Sequence, residues 1–318
     1  MIEENPIVAY RIQEQETIDR GIKRIVGDEI ELAIADLRGH THLAQEEAIH
    51  DARKRLKKLR AVARLVRFGI GDEAYRRENQ TWRDAGRLLS DVRDASVYVE
   101  TLDKLKSAYA NYIAADAFST TRSSLVDRRD AILKQHLGED NKMEQAAAKI
   151  EQSRTQVEEW NLGDRDWEAI APGFQRIYKQ GRKALQHAFE NRSIENFHDW
   201  RKRVKDFWYH LRILESIWPS LMNQMQTEAK QLSDYLGDDH DLAVLRQLLV
   251  EYPKLCPDRE AFEALIASID LRRNQLQRSA KVLGDRLYAE KASAFVDRLG
   301  HYWYTWKAEQ SEAIGDWN

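Results

Sequence analysis

Three observations predict an all-α chain: very few prolines, a dominance of strong helix formers, and no strand-like alternation. The 318 residues contain five prolines (Pro6, Pro172, Pro219, Pro253 and Pro257), and none lies between residues 7 and 171. Ala, Leu, Glu, Lys, Arg and Gln dominate that interval, and such residues without breakers propagate helices. No stretch sustains period-two alternation between turn residues, so no sheet is predicted.

Helix boundaries are predicted near Arg38-Gly39, Gly69-Ile70-Gly71, Gly138, Asn161-Leu162-Gly163, Asn191-Arg192-Ser193, Trp218-Pro219-Ser220, the Pro253–Pro257 segment and Gly284. They cut the chain into roughly eight or more helices of ordinary to long length. The polar, helix-prone segment 140–161 is expected to carry the chain from one half to the other.

Hydrophobic residues make up 42% and charged residues 32%, a globular and well-solvated balance. Nine Trp and twelve Tyr read first as packing groups. Cys256 is the only cysteine, which excludes an internal disulfide and fits a reducing compartment. The opening MIEENPIVAY has no basic region followed by an apolar one, and no apolar run approaches the roughly 20 residues of a membrane span. A cytoplasmic, soluble protein is expected.

The chain repeats itself. HDARKRLK (50–57) recurs as HDWRKRVK (198–205), and LSDVRDASVY (89–98) aligns without gaps to LGDDHDLAVL (236–245). Asp94 follows His50 by 44 residues (50 to 94), and Asp241 follows His198 by 43 (198 to 241). Two ordered matches at nearly equal separation indicate a tandem duplication of a helical unit of about 150 residues.

Placing successive residues about 100° apart divides the first basic segment into two faces. Ala52, Leu56, Leu59, Val62, Ala63 and Val66 form an apolar stripe; His50, Arg53, Lys54, Lys57, Arg60 and Arg64 lie opposite. In the second copy Trp200, Val204, Phe207, Leu211 and Leu214 oppose His198, Arg201, Lys202, Lys205 and Arg212. Solvated helix faces usually mix signs, because like charges at i,i+4 destabilise by a few tenths of a kcal/mol. A cation row that accepts this repulsion, and occurs twice, suits a polyanion. The segment 14–47 before it holds nine Asp/Glu against four Lys/Arg, so the net charge of −3 conceals strong segregation. Arg55 and Arg203 lie at the edge of each apolar stripe and are expected to pair with Asp94 and Asp241. A further basic cluster, Arg176, Lys179, Arg182 and Lys183, precedes the second copy. It is placed to compensate for Asp206 and Trp208, which stand where the first copy has Lys58 and Arg60.

The duplicated His-x-x-Arg-Lys-x-x-Lys, each followed by Leu-x-x-x-x-Asp-x-x-Val, resembles the CHAD family, the conserved histidine α-helical domain. IYKQGRKAL, FHDWRKRVKDFWYHLRIL and LGDDHDLAVL carry the likeness most closely, and it extends over essentially the whole chain. The resemblance implies one domain (1–318) of two antiparallel helical-bundle repeats, about 8–150 and about 165–318, related by a pseudo-twofold around a central basic cavity. It implies binding of inorganic polyphosphate or a similar polyanion, with phosphate or sulfate ions as lesser occupants, without catalysis, cofactor or metal, and a link to polyphosphate granules. The implied ligands are His50, Arg53, Lys57 and Arg60, then His198, Arg201 and Lys205, joined by Lys54, Arg64, Lys202 and Arg212 from the same faces and by Lys179, Arg182 and Lys183. The losses at Asp206 and Trp208 imply an asymmetric site.

Two other chemistries compete. Glu47-Ala-Ile-His50 and Glu195-Asn-Phe-His198 are both Glu-x-x-His, the pattern of di-iron bundles; yet each His shares its face with cations that repel a metal dication. Nucleic-acid backbones would satisfy the same cations, with Trp200, Trp208 and Tyr209 as stacking groups; Trp200, however, falls on the apolar stripe, and a pI near 6.3 is low for such a protein. There is no Gly-rich phosphate loop and no nucleophile elbow, and Ala33 interrupts the Glu-x-Glu-x-Lys pattern of triphosphate tunnel enzymes. The cluster Asp238-Asp239-His240-Asp241 has the composition of a cation site, but is expected instead to start or cap a helix and position Arg203. For His50 and His198, helix capping, a hydrogen bond inside the bundle and direct ligand contact all stay open.

Overall fold

Thr17 accepts the Arg20 amide and Ser193 that of Asn196, so side-chain caps start two of the long helices. The computed structural model describes residues 10–112, 116, 118–138 and 141–315, with side chains described for all of these except 91–94, 136–138 and 312–315. Among the described residues there are thirteen α-helices and no strand. They are α1 (Ile18–Leu37), α2 (Gln45–Leu65), α3 (Arg67–Ile70), α4 (Asp72–Leu88), α5 (Ser90–Ala108), α6 (Ser119–Gly138), α7 (Lys142–Glu151), α8 (Ser153–Glu158), α9 (Ala171–Glu190), α10 (Ile194–Ile213), α11 (Pro219–Glu251), α12 (Arg259–Leu287) and α13 (Ala292–Gly315).

The helices pair in a similar order along the two halves. α1 packs on α2 and α5 on α6; α9 packs on α10 and α11 on α12. α7 covers α1 and α4, while α13 covers α9. Residues 141–161 therefore complete the packing of the first half before the chain crosses into the second.

Both apolar stripes are core. Ala52, Leu56, Leu59, Val62, Ala63 and Val66 are buried, as are Trp200, Val204, Phe207, Leu211 and Leu214. Each large side chain removed from water contributes about 1.5–3 kcal/mol. They belong to one cluster that runs through both halves and includes Trp82, Phe174 and Trp303. A second cluster joins Val99, Leu102 and Leu105 of α5 to Leu242, Leu245 and Leu249 of α11 and to Leu265 and Ile269 of α12.

Direct contacts lock α2 to α9 and α10. The His210 Nε2 donates to the Ala61 carbonyl at 2.8 Å, deep in the core. Burial pushes its pKa down to about 4, so the imidazole is neutral at physiological pH. Arg64 donates to Asp206 at 3.1 Å, both side chains being largely buried. Gly173 of α9 sits so close to the end of α2 that an added Cβ would fall 1.8 Å from the Leu65 carbonyl oxygen.

Two boundary expectations are corrected. Gly284 does not break a helix; α12 runs through it to Leu287. A Cβ there would lie 2.6 Å from the Trp200 ring, so the glycine makes room for the indole. The acidic cluster 238–241 lies inside α11 rather than at its start. Asp239 is buried and accepts from Arg273 at 3.0 Å and Gln277 at 2.9 Å, fastening α12, while Asp238 takes Lys104 of α5 at 2.9 Å.

Candidate anion-binding pocket

Because their apolar faces share one core and the helices touch, α2 and α10 turn part of their cationic faces toward each other. The space between them and α5 and α11 is a pocket of about 720 Å³. It opens where α11 passes from the first apolar cluster (Leu236) to the second (Leu242). α2 contributes His50, Arg53, Lys54, Lys57 and Lys58; α10 contributes His198, Arg201, Lys205, Trp208, Tyr209 and Arg212. α11 adds Lys230, Ser233, Asp234, His240, Asp241 and Val244, and α5 adds Val97 and Tyr98. Among the described residues, eight Lys or Arg thus face two Asp across one cavity.

The acidic first segment has a local role. Buried Glu29 of α1 accepts from Lys58 at 2.5 Å and Arg55 at 3.4 Å, and buried Asp36 accepts from Arg55 at 2.8 Å. Arg203 approaches Asp206 at 4.0 Å. Both arginines thus meet carboxylates of their own half, Arg55 at Glu29 and Asp36 and Arg203 at Asp206 rather than at Asp241. Asp241 lines the pocket instead, and the side chain of Asp94 lies outside the described residues.

The pocket's electrostatics bear the mark of crowding. Burial, then Arg201, pushes Lys205 down to about 8, against the opposing pull of Asp234. Lys58 is lowered as well, because burial outweighs its contact with Glu29. His198 and His240 lie with ring centroids 4.3 Å apart. Burial, then Lys202 and Arg201, lowers His198; burial, then His198 and Arg201, pushes His240 down to about 3. The Nδ1 atoms of both are buried without a hydrogen-bond partner. Neither histidine of the repeated motif caps its helix: α2 is preceded by Ala44 and α10 by Ser193. Arg212 lies over the Tyr10 ring at 5.1 Å and the Trp208 ring at 5.4 Å, which holds its guanidinium at the rim.

Of the fourteen residues singled out in the sequence, His50, Arg53, Lys54, Lys57, His198, Arg201, Lys205 and Arg212 line this pocket. Arg60 lies on a neighbouring groove, and its pKa is lowered to about 10 by burial and by Arg64. Arg64 is held by Asp206, and Lys202 lies outside the lining, paired with Asp199. Lys179, Arg182 and Lys183 are exposed on α9, where Arg182 reaches the Glu290 carbonyl at 3.4 Å; none lines the pocket. Lys58, Lys230 and His240 complete the pocket without having been singled out. The only sequence signal near Lys230 is the second acidic motif six residues further along the same helix. Trp200 is wholly buried and offers no stacking surface. Glu47 and Glu195 are exposed while their histidines line the pocket, and among the described residues no three His, Cys, Asp or Glu converge as a metal-ligand set. No described helix is long and apolar enough to cross a membrane.

These features define an all-helical protein in which two basic helices of like sequence wall one cationic pocket. The chain belongs to the CHAD family: the CHAD domain model matches residues 29–250. The crystal structure of the CHAD domain from the plant Ricinus communis has a similar fold, with a TM-score of 0.58 at 17% identity over 89% of this chain and 97% of that one. No curated protein matches.

Proposed function

We propose that this protein binds inorganic polyphosphate, or a polyanion of the same chemistry, in the α2–α10 pocket and does not turn it over. The observation that carries this reading is the composition of the pocket wall. Arg53, Lys54, Lys57 and Lys58 from one motif copy meet Arg201, Lys205 and Arg212 from the other, with Lys230 added, and among the described residues only Asp234 and Asp241 oppose them. A linear polyanion with one charge per phosphate neutralises such an array in a way that a small monoanion does not, and it releases counterions as it does so. Arg grips phosphate oxygens as a planar fork, and Lys acts as a point charge. Membership of the CHAD family supports the same ligand. The matching order of helix pairs supports two repeats, about 8–150 and 165–318, related by a pseudo-twofold with the pocket central between them. The protein would act in the cytoplasm, and association with polyphosphate granules follows from the ligand.

Replacing Arg53, Lys57, Arg201 and Lys205 together by Ala tests the reading. Binding to long-chain polyphosphate is expected to vanish while the helical circular-dichroism signal stays; retained affinity refutes the site. RNA provides a control at equal phosphate concentration. Displacement of labelled RNA by polyphosphate, with little reverse effect, is expected; the opposite order would favour a nucleic-acid ligand.

A further inference from the structure

We propose that the groove between α2 and α4 is a second anion subsite, continuous with the main pocket, that holds the overhanging end of a linear polyphosphate; this rests on the function proposed above. The groove has a volume of about 260 Å³ and is lined by Arg53, Lys57, Arg60, Arg83 and Arg87 over a floor of Leu56, Trp82 and Gly86. Among the described residues no carboxylate lines it. Arg53 and Lys57 line both cavities, so a ligand that leaves the main pocket past them enters the groove. The groove wall is tied together: an Arg53 guanidinium nitrogen donates to the Gly86 carbonyl at 2.6 Å and to Ser90 Oγ at 2.9 Å. Arg60 Nε donates to Asn79 at 3.0 Å, which aims the guanidinium along the same face. Asp84 approaches Arg83 at 3.1 Å and Arg87 at 3.6 Å from outside the lining. One carboxylate shared by two arginines leaves net positive charge there.

The second half has no counterpart. The register that sets Leu89 opposite Leu236 places Arg83 opposite Lys230 and Arg87 opposite Asp234, and Arg60 stands opposite Trp208. Lys230 and Asp234 pair with each other at 2.6 Å, so the equivalent face of α11 is neutralised. A bound chain therefore overhangs toward α4 and not toward the first part of α11, which gives the site a direction.

The test compares tripolyphosphate with long-chain polyphosphate by calorimetric titration of the full chain. Arg83 is half-buried and Arg87 exposed, with side-chain accessibilities of 40% and 68%, and neither belongs to the core. In the parent, long chains are expected to bind more tightly per molecule than tripolyphosphate. Arg83→Ala with Arg87→Ala is expected to weaken long-chain binding about tenfold at low salt and to reduce the salt slope by about 1.4, from roughly 0.7 per lost cation contact. Its tripolyphosphate affinity is expected to stay within about twofold, while Arg83→Lys with Arg87→Lys restores most of the slope. Unchanged long-chain binding in the Ala variant, or equal loss for both ligands, overturns the groove and leaves the main site standing. A parent that binds neither ligand overturns both.

Discussion

Lys205 sits in the pocket with its pKa pushed down to about 8 by burial and by Arg201, with Lys230 adding to the repulsion and Asp234 and Asp241 opposing it. A polyanion laid against it favours the charged form, so binding takes up a proton wherever the free lysine is neutral. Raising the pH from 7 to 9 lowers the protonated fraction in the free protein from about 90% to about 10%. Provided the bound lysine stays charged, linkage makes the dissociation constant about tenfold weaker over that interval. The assay is titration at fixed ionic strength in buffers of different ionisation heat, which reads affinity and proton uptake together. Lys205→Arg keeps the charge at both pH values and is expected to flatten the profile. A profile that is flat in the parent, or equally steep in Lys205→Arg, would refute this account of the lysine.

Other expected outcomes follow from the same contacts. Without ligand, the depressed Lys205 makes the fold gain stability as pH rises from about 8 toward the ordinary lysine value near 10.4, because the unfolded chain then binds more protons. Lys205→Met should accordingly raise the denaturation midpoint of the free protein at pH 7 while weakening polyphosphate binding. Asp206→Ala removes the carboxylate that faces largely buried Arg64 and should cost about 3 kcal/mol in chemical denaturation. Gly284→Val drives a branched side chain into the Trp200 ring and should cost about 1–3 kcal/mol, or more. The His240 imidazole, held down to about 3 by burial and by His198, should show no titration above pH 5 by nuclear magnetic resonance in the free protein.

The parts of the fold that depend on local periodicity were legible in the sequence. The apolar stripes of α2 and α10 followed from 3.6-residue spacing alone, and every residue of both stripes is buried, although α10 also buries Asp206 and His210, which spacing did not select. Tertiary partners were not legible. Gly284 carries the usual mark of a helix end, yet its reason is the Trp200 ring approaching from another helix. The aspartates at 238–241 look like a cap, but Arg273 and Gln277 of α12 and Lys104 of α5 take up two of them inside a continuous helix. Angle on the helix wheel placed Arg53 and Arg64 on one face; position along the axis separates them. Arg53 lies at the pocket, whereas Arg64 reaches Asp206 on α10. The α9 cations were assigned by proximity in sequence to the second motif, and α9 turns them to the surface. Lys230 and His240 needed the fold, because only the packing of α11 on α10 brings them to the pocket.

The central claim is that a multivalent cation array binds a linear polyphosphate. Its most direct test is a calorimetric titration of the full chain with long-chain polyphosphate at 50 and 200 mM salt. With about six phosphate contacts, the account predicts saturable binding that weakens by two to three orders of magnitude between the two salts. No saturable heat at the lower salt, or equal affinity at both, would contradict it.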